Sequence, residues 1–218
     1  MKPRAFVTRT LAEDAHIMAE LIAAGYSVTG YSLLSFTRVE HEELPACDFV
    51  FAYSGTGVRM LNERFVRQLI EQQRRVGAMG PGTAKAWEAR GIAPAFVGRG
   101  TPDEVARAFS ETLPKLVFEK PKPRVVFVQA SNSIESIAKA LEHAIIPIPL
   151  ITYENGIEES LALPPCELLV VTSPLNARAA LRKVPTASSL RIWSVGPSTS
   201  AAVEALGFEV SQVVTLSP

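Results

Sequence analysis

Residues 76–92 read VGAMGPGTAKAWEARGI, and residues 192–208 read IWSVGPSTSAAVEALGF. Gly80, Pro81, Thr83, Ala86, Glu88, Ala89 and Gly91 find the same residue types at Gly196, Pro197, Thr199, Ala202, Glu204, Ala205 and Gly207, so the block is duplicated at an offset of about 116 residues. Each copy is a short apolar run, a Gly-Pro-x-Thr turn, a helical pattern and a closing glycine. Proline fits the first helical position and glycine the residue beyond the last turn, so each copy spells strand, turn, helix and stop.

The duplication extends upstream. Residues 45–54, PACDFVFAYS, lie over residues 164–173, PPCELLVVTS, and Arg4-Ala5-Phe6-Val7 lies over Arg124-Val125-Val126-Phe127. The chain is thus two copies of a unit of about 110 residues, with a Pro-rich passage at 120–124 between the repeats. The apolar runs at 5–8, 49–53, 76–79, 125–128, 168–172 and 192–195 are continuous rather than alternating, which marks strands buried on both faces. Leu11, Ala15, Met18, Leu21 and Ile22 fall at helical spacing, and Gly25 ends that pattern as Gly91 and Gly207 end theirs. Alternating strands and helices predict an α/β fold of two doubly wound parallel-sheet domains of similar topology.

Composition narrows the function. The 218 residues are 47% hydrophobic, and 22 basic residues cancel 22 acidic ones. No global field draws nucleic acid or an anionic membrane, so an anion must be held locally. The longest apolar stretch, 144–151, is interrupted by Pro147 and Pro149 and is too short to span a bilayer. Between Arg4 and Thr8 stand only three apolar residues, too few for a secretory leader, and a cytoplasmic protein is expected. Cys47 and Cys166 occupy equivalent positions before buried strands and read as small packing residues. No metal site is expected, because neither the cysteines nor His16, His41 and His143 stand at ligand spacing. The histidines fall in helix patterns or a polar loop, and Glu40, Glu43, Glu158 and Glu159 read as solvated helix faces.

In doubly wound sheets, ligands bind beyond the carboxyl ends of the strands, where turns present helix N-termini. Here those turns contain Ser54-Gly55-Thr56-Gly57, Gly80-Pro81-Gly82-Thr83, Ser131-Asn132-Ser133, Thr172-Ser173-Pro174 and Gly196-Pro197-Ser198-Thr199. Glycine admits a ligand to the backbone, and hydroxyls and free N–H groups donate to oxyanions. The same residues are also good helix caps and turn formers, and both readings stand at this level. Dinucleotide and triphosphate motifs are absent: Met60 replaces the last glycine of a GxGxxG, and Thr83 and Ala84 separate Gly82 from Lys85.

The doubled Gly-Pro-x-Thr block, the strand ending in Thr172-Ser173-Pro174 and the stretch Ile151-Thr152-Tyr153-Glu154 resemble the uroporphyrinogen-III synthase family over nearly the whole chain. The resemblance implies interleaved domains, 1–36 plus 155–218 and 37–154, joined by a two-stranded linker with a cleft between them. Residues 31–39 and 147–155, extended and rich in β-branched residues or proline, suit the two crossing strands. It further implies a cofactor-free lyase of tetrapyrrole biosynthesis. The substrate is hydroxymethylbilane, a linear tetrapyrrole with eight carboxylates, which is closed with inversion of its terminal pyrrole. Loss of the hydroxyl leaves an azafulvene, which bonds to the substituted carbon of the terminal ring; the spiro intermediate then fragments and recloses. The expected protein is a monomer in transient contact with the bilane-forming enzyme.

The carboxylates are expected at Arg9, Ser54, Gly55, Thr56, Gly80, Thr83, Ser131, Asn132, Ser173, Gly196, Ser198 and Thr199. Arg59, Lys85 and Arg178 either add charge there or remain solvated. Tyr153 corresponds to a family tyrosine at the crossover, and its phenol can protonate or orient the departing hydroxyl, or simply pack the linker. Tyr53-Ser54-Gly55 stands where the family often has Thr-Ser-Pro, and Gln129–Asn132 where many bacterial members have a Gly-Arg turn. Two alternatives therefore accompany the enzyme reading: a two-lobed carboxylate-binding sensor and a catalytically degenerate member.

Overall fold

Neighbouring strands of the core pair in parallel, and the chain builds two such sheets. The computed structural model describes residues 2–10, 15–41, 43–116, 121–185 and 188–214. In chain order the elements are β1 (Arg4–Val7), α1 (Ala15–Ala23), β2 (Ser27–Gly30), β3 (Leu34–Arg38), β4 (Phe49–Ala52), α2 (Gly55–Met60), α3 (Glu63–Glu71), β5 (Arg75–Ala78), α4 (Pro81–Glu88) and β6 (Phe96–Val97). They continue with α5 (Pro102–Leu116), β7 (Arg124–Ala130), α6 (Ser136–Leu141), β8 (Ile146–Ile157), β9 (Leu168–Val171), α7 (Pro174–Leu181), β10 (Arg191–Val195), α8 (Pro197–Glu204) and β11 (Gln212–Val214). Leu11, Lys120, residues 216–218 and the side chains of Ala15 and His16, which the sequence reading used, lie outside the described residues.

The chain divides into two units, one taking the described residues up to Ser35 and from Gly156 onward, the other Phe36–Asn155. The first holds a five-stranded sheet in the order β11-β10-β9-β1-β2; the second sheet runs β3-β8-β7-β4-β5-β6. The two contiguous repeats are therefore not the two sheets. β7, which opens the second repeat, pairs with β4 of the first, Phe49 opposite Val125 and Ala52 opposite Val128. The chain crosses between the units within β3 and β8, which are neighbours in the second sheet.

Burial follows the strand pattern. All four residues of β4 and of β9 are buried, as are six of the seven in β7. Alternate residues serve opposite faces. In the second unit Val50, Ala52, Val126 and Val128 pack under Val58, Leu61, Phe65, Leu69 and Trp87 of α2–α4. Phe49, Phe51, Val125 and Phe127 pack under Val105, Phe109 and Leu113 of α5 and Ile137 and Leu141 of α6. In the first unit Leu169, Val171 and Ile192 face α7 and α8, while Ala5, Val7, Leu168 and Val170 face Ile17 and Leu21 of α1. The three closing glycines do what the pattern required: Gly25, Gly91 and Gly207 have φ of +86°, +76° and +82°.

Two sequence expectations change. Glu158 and Glu159 are not on a helix: Glu158 donates its N–H to Leu33 O at 2.9 Å, so this segment prolongs the β8 pairing. Glu40 and Glu43 lie in the irregular segment before β4. Gly77 in β5 has its own packing reason, since an added Cβ would stand 2.8 Å from Phe49 Cε1 and 3.2 Å from Phe51 Cδ2. Gly77→Ala is expected to destabilise the fold by about 1–3 kcal/mol through overpacking, measured as a lower denaturant midpoint at unchanged slope.

Candidate active site

At the carboxyl edge of the first sheet, β1 and β9 end side by side and are tied together by threonines. Thr172 N–H donates to Thr8 Oγ1 at 3.0 Å, and Thr172 Oγ1 donates to Thr8 O at 3.1 Å. Arg9 follows Thr8, is half-buried and is engaged by its surroundings. Ser173 is the N-cap of α7, its Oγ accepting from Asn176 N–H at 3.2 Å. Asn176, which no sequence motif singles out, also offers Oδ1 to Leu33 N–H at 3.4 Å and so ties α7 to the segment before β3. In the neighbouring turn the N-cap of α8 is Gly196, with φ of +76° and no side-chain cap. A Cβ there would meet nothing within 4 Å; Ser198 is exposed, and Thr199 is buried at 2% exposure.

The corresponding turns of the second unit divide the same way. Gly80 is the N-cap of α4 without a side-chain cap, and the added-Cβ positions at Gly80 and Gly82 are open, the nearest atom being Gly98 O at 4.0 Å from Gly80. Thr83 lies in the first turn of the helix and is buried, so neither Thr83 nor Thr199 serves as an N-cap. Gly55 and Gly57 are closely packed. A Cβ on Gly55 would stand 3.2 Å from Gly82 O, and one on Gly57 3.1 Å from Val128 Cγ1, so the first turn of α2 sits tightly on α4 and β7. Thr56 accepts from Arg59 Nη2 at 3.1 Å on an exposed face. Asn132 donates to Asn155 Oδ1 at 2.7 Å, and Ser131 N–H donates to Tyr153 O at 3.0 Å.

Tyr153 reaches this edge because β8 slips phase. Ile146 N–H donates to Pro123 O, so even-numbered residues face β7 at the start of the strand, and the N–H-less Pro147 and Pro149 face away. Opposite Gln129 and Ala130 the register jumps from Ile151 to Tyr153, a β-bulge. Beyond it Thr152 O accepts from Val39 N–H and Tyr153 O accepts from Ser131 N–H, so an odd-numbered residue now faces β7. Two consecutive side chains, Thr152 and Tyr153, are buried as a result. Thr152 Oγ1 donates to Gly57 O at 3.3 Å, and Tyr153 Oη lies 3.0 Å from Ser54 Oγ. Ser54 is the N-cap of α2, its Oγ accepting from Gly57 N–H at 3.1 Å. The ring of Phe36 lies 6.0 Å from that of Tyr153. Thr8, Thr152, Asn155 and Asn176 are the residues sequence reasoning missed, since each acquires its partner through pairing at long sequence separation.

The residue before Ser54 is electrostatically distinct. Burial pushes the Tyr53 phenol up to about 12, and its oxygen accepts Ala138 N–H at 2.9 Å at the start of α6. Burial likewise pushes the Cys47 thiol up to about 11. Among the described residues no three His, Cys, Asp or Glu gather as a metal site would require, and no helix is long and apolar enough to cross a membrane.

A chain that winds two mostly parallel α/β sheets from interleaved segments, with glycine-opened turns and a hydroxyl pair at strand ends, is a two-domain α/β protein whose polar groups gather at the carboxyl edges of its sheets. The model of the family described as uroporphyrinogen-III synthase HemD matches residues 15–216, and the chain belongs to that family. No curated protein matches it in sequence. Among solved structures, uroporphyrinogen-III synthetase from Helicobacter pylori has 20% identity and a TM-score of 0.68, over 97% of this chain and 92% of the other. A mutant uroporphyrinogen III synthase from the extremely thermophilic bacterium Thermus thermophilus has 15% identity and a TM-score of 0.52 over the same shares. These likenesses concern the fold.

Two outcomes follow from the geometry. Ser173→Ala is expected to cost about 0.5–2 kcal/mol through loss of the α7 cap, while exposed Ser198→Ala stays within about 0.5 kcal/mol, both read by equilibrium unfolding. The raised Tyr53 gives a pH dependence: below the ordinary phenol value both states are protonated, and above it the unfolded chain ionises first. Stability is therefore expected to fall as pH rises from about 10 to 12, with a shallower fall in Tyr53→Phe, measured by unfolding at each pH.

Proposed function

We propose that this protein is a uroporphyrinogen-III synthase, closing hydroxymethylbilane with inversion of the terminal pyrrole. Membership of the family over residues 15–216 carries the reading. The site supports it chemically: a buried phenol stands at the strand edge, and uncapped helix starts lie at Gly80 and Gly196. The open amide turns at Gly80-Pro81-Gly82 and Gly196-Pro197-Ser198 bind bilane carboxylates through backbone N–H groups and the helix dipole. Arg9, Ser131, Asn132 and Ser173 lie at the same strand edges and add polar contacts. Thr83 and Thr199, being buried, shape these turns from beneath, and Gly55 keeps α2 close to α4.

Tyr153 gives its proton to the hydroxyl of the bilane. The C–O bond breaks with its electron pair on oxygen, and water leaves. The electrophile so formed is attacked by the substituted carbon of the terminal ring, and fragmentation and reclosure complete the inversion. The proton lost on rearomatisation returns to the phenolate, so the net change is loss of one water, with no redox partner in the balance. Because the free bilane closes spontaneously to the uninverted isomer, holding its conformation is the larger part of the task.

In a reaction that generates hydroxymethylbilane, adding this protein is expected to shift the product from the uninverted to the inverted isomer, resolved by chromatography after oxidation. Bilane that is bound but yields unchanged isomer proportions would identify a binding module instead. Tyr153→Phe is expected to keep the KM and lower kcat by about 10²-fold, the lower end for a general acid, so that spontaneous closure overtakes it. Turnover within twofold of the parent rules out the phenol as the acid.

A further inference from the structure

Ser54 has the residue type of a carboxylate donor, yet its oxygen is already engaged. Oγ accepts Gly57 N–H at 3.1 Å and meets Tyr153 Oη at 3.0 Å. Its helix, α2, has six residues, and its first turn is held down by Thr152 Oγ1 on Gly57 O and by Val128 beneath Gly57. Ser54 and Tyr153 are thus fixed to each other through two links between β8 and α2. Tyr153 is 6% exposed.

Two touching hydroxyls share one hydrogen bond whose direction can reverse. In the free protein Tyr153 can donate to Ser54, with Oγ accepting from both Tyr153 and Gly57. Once the phenol turns its O–H to the bilane hydroxyl, Ser54 rotates its own O–H onto the phenol oxygen and keeps donating to the phenolate after the transfer, while Gly57 N–H continues to donate to Oγ and polarises that O–H. The proton of Ser54 stays on Ser54 throughout; only the direction of the bond changes.

We infer that Ser54 is a positioning residue for Tyr153 and not a ligand for substrate carboxylates: it orients the phenol before proton transfer and donates to the phenolate afterwards. The inference rests on the reading of Tyr153 as the acid.

A double-mutant cycle tests it, with kcat, KM and equilibrium unfolding measured for the parent, Ser54→Ala, Tyr153→Phe and the double variant. The expected result is a loss of about 10- to 100-fold in kcat for Ser54→Ala, as for a lost hydrogen bond to a charged group, with KM within twofold. In the Tyr153→Phe background the same change is expected to cost nothing further, and Ser54→Thr is expected to restore most of kcat. In unfolding, the two single changes are expected to be non-additive, which reads the hydroxyl pair without substrate. Should Ser54→Ala fold poorly, Ser54→Gly takes its place, since glycine is tolerated at N-caps. Multiplying losses of kcat, or a raised KM at intact kcat, would overturn the inference and return Ser54 to a cap or a carboxylate donor. Unchanged isomer proportions with the parent protein overturn the function and with it the purpose assigned to Ser54; additive effects in an active enzyme overturn the pairing alone.

Discussion

Parallel pairing governs this molecule. A strand can join its neighbour in parallel only if the chain returns over a face of the sheet, and the returning helices must bury that face. Each sheet consequently gathers its strand ends, and the helices that start there, along one edge. The turns at Thr172-Ser173 and Gly196-Pro197 meet at such an edge, because β9 and β10 run side by side with Leu169 opposite Ile192. Those at Ser54-Gly55 and Gly80-Pro81 do so because β4 and β5 pair Ala52 with Ala78. Polar residues far apart in sequence are thereby delivered to common ground with no catalytic motif in the chain.

The exception to regular pairing is what produces the hydroxyl pair. A uniform β8 would keep even-numbered residues facing β7, and Tyr153 would then point its backbone away from Ser131. The bulge shifts the phase by one residue, buries Thr152 and Tyr153 together, and hands both to the first turn of α2. Close packing supplies the rest. Gly57 lets that turn approach Val128, and Gly55 lets α2 approach α4; an added Cβ would stand 3.1 Å from Val128 Cγ1 at the first position and 3.2 Å from Gly82 O at the second.

Duplication preserved the grammar of the two units but not the use of each position. Gly80 and Gly196 are equivalent, and both open their helix starts. Ser54 and Ser173 are equivalent N-caps, yet Ser173 turns to Asn176 and Ser54 to Tyr153. The repeat thus supplied two similar polar edges, and the crossing strand β8 made one of them chemically distinct.

From the residues alone came the repeat, the continuous apolar strands, the helix stops at Gly25, Gly91 and Gly207, and the location of polar turns. These are local properties: burial on both faces demands continuous apolar runs, and a left-handed helix end favours glycine. How each turn residue packs depends on tertiary structure. Thr83 and Thr199 read like caps but lie buried inside the first turn, and an added Cβ at Gly55 or Gly57 would crowd Gly82 O or Val128 Cγ1. Tyr153 was visible as a residue type at an extended stretch, whereas its partner stands 99 residues away and is reached only through a bulge with no local signature. Local pattern specifies which element forms; the partner of a side chain depends on how distant strands pair and how closely helices pack on them.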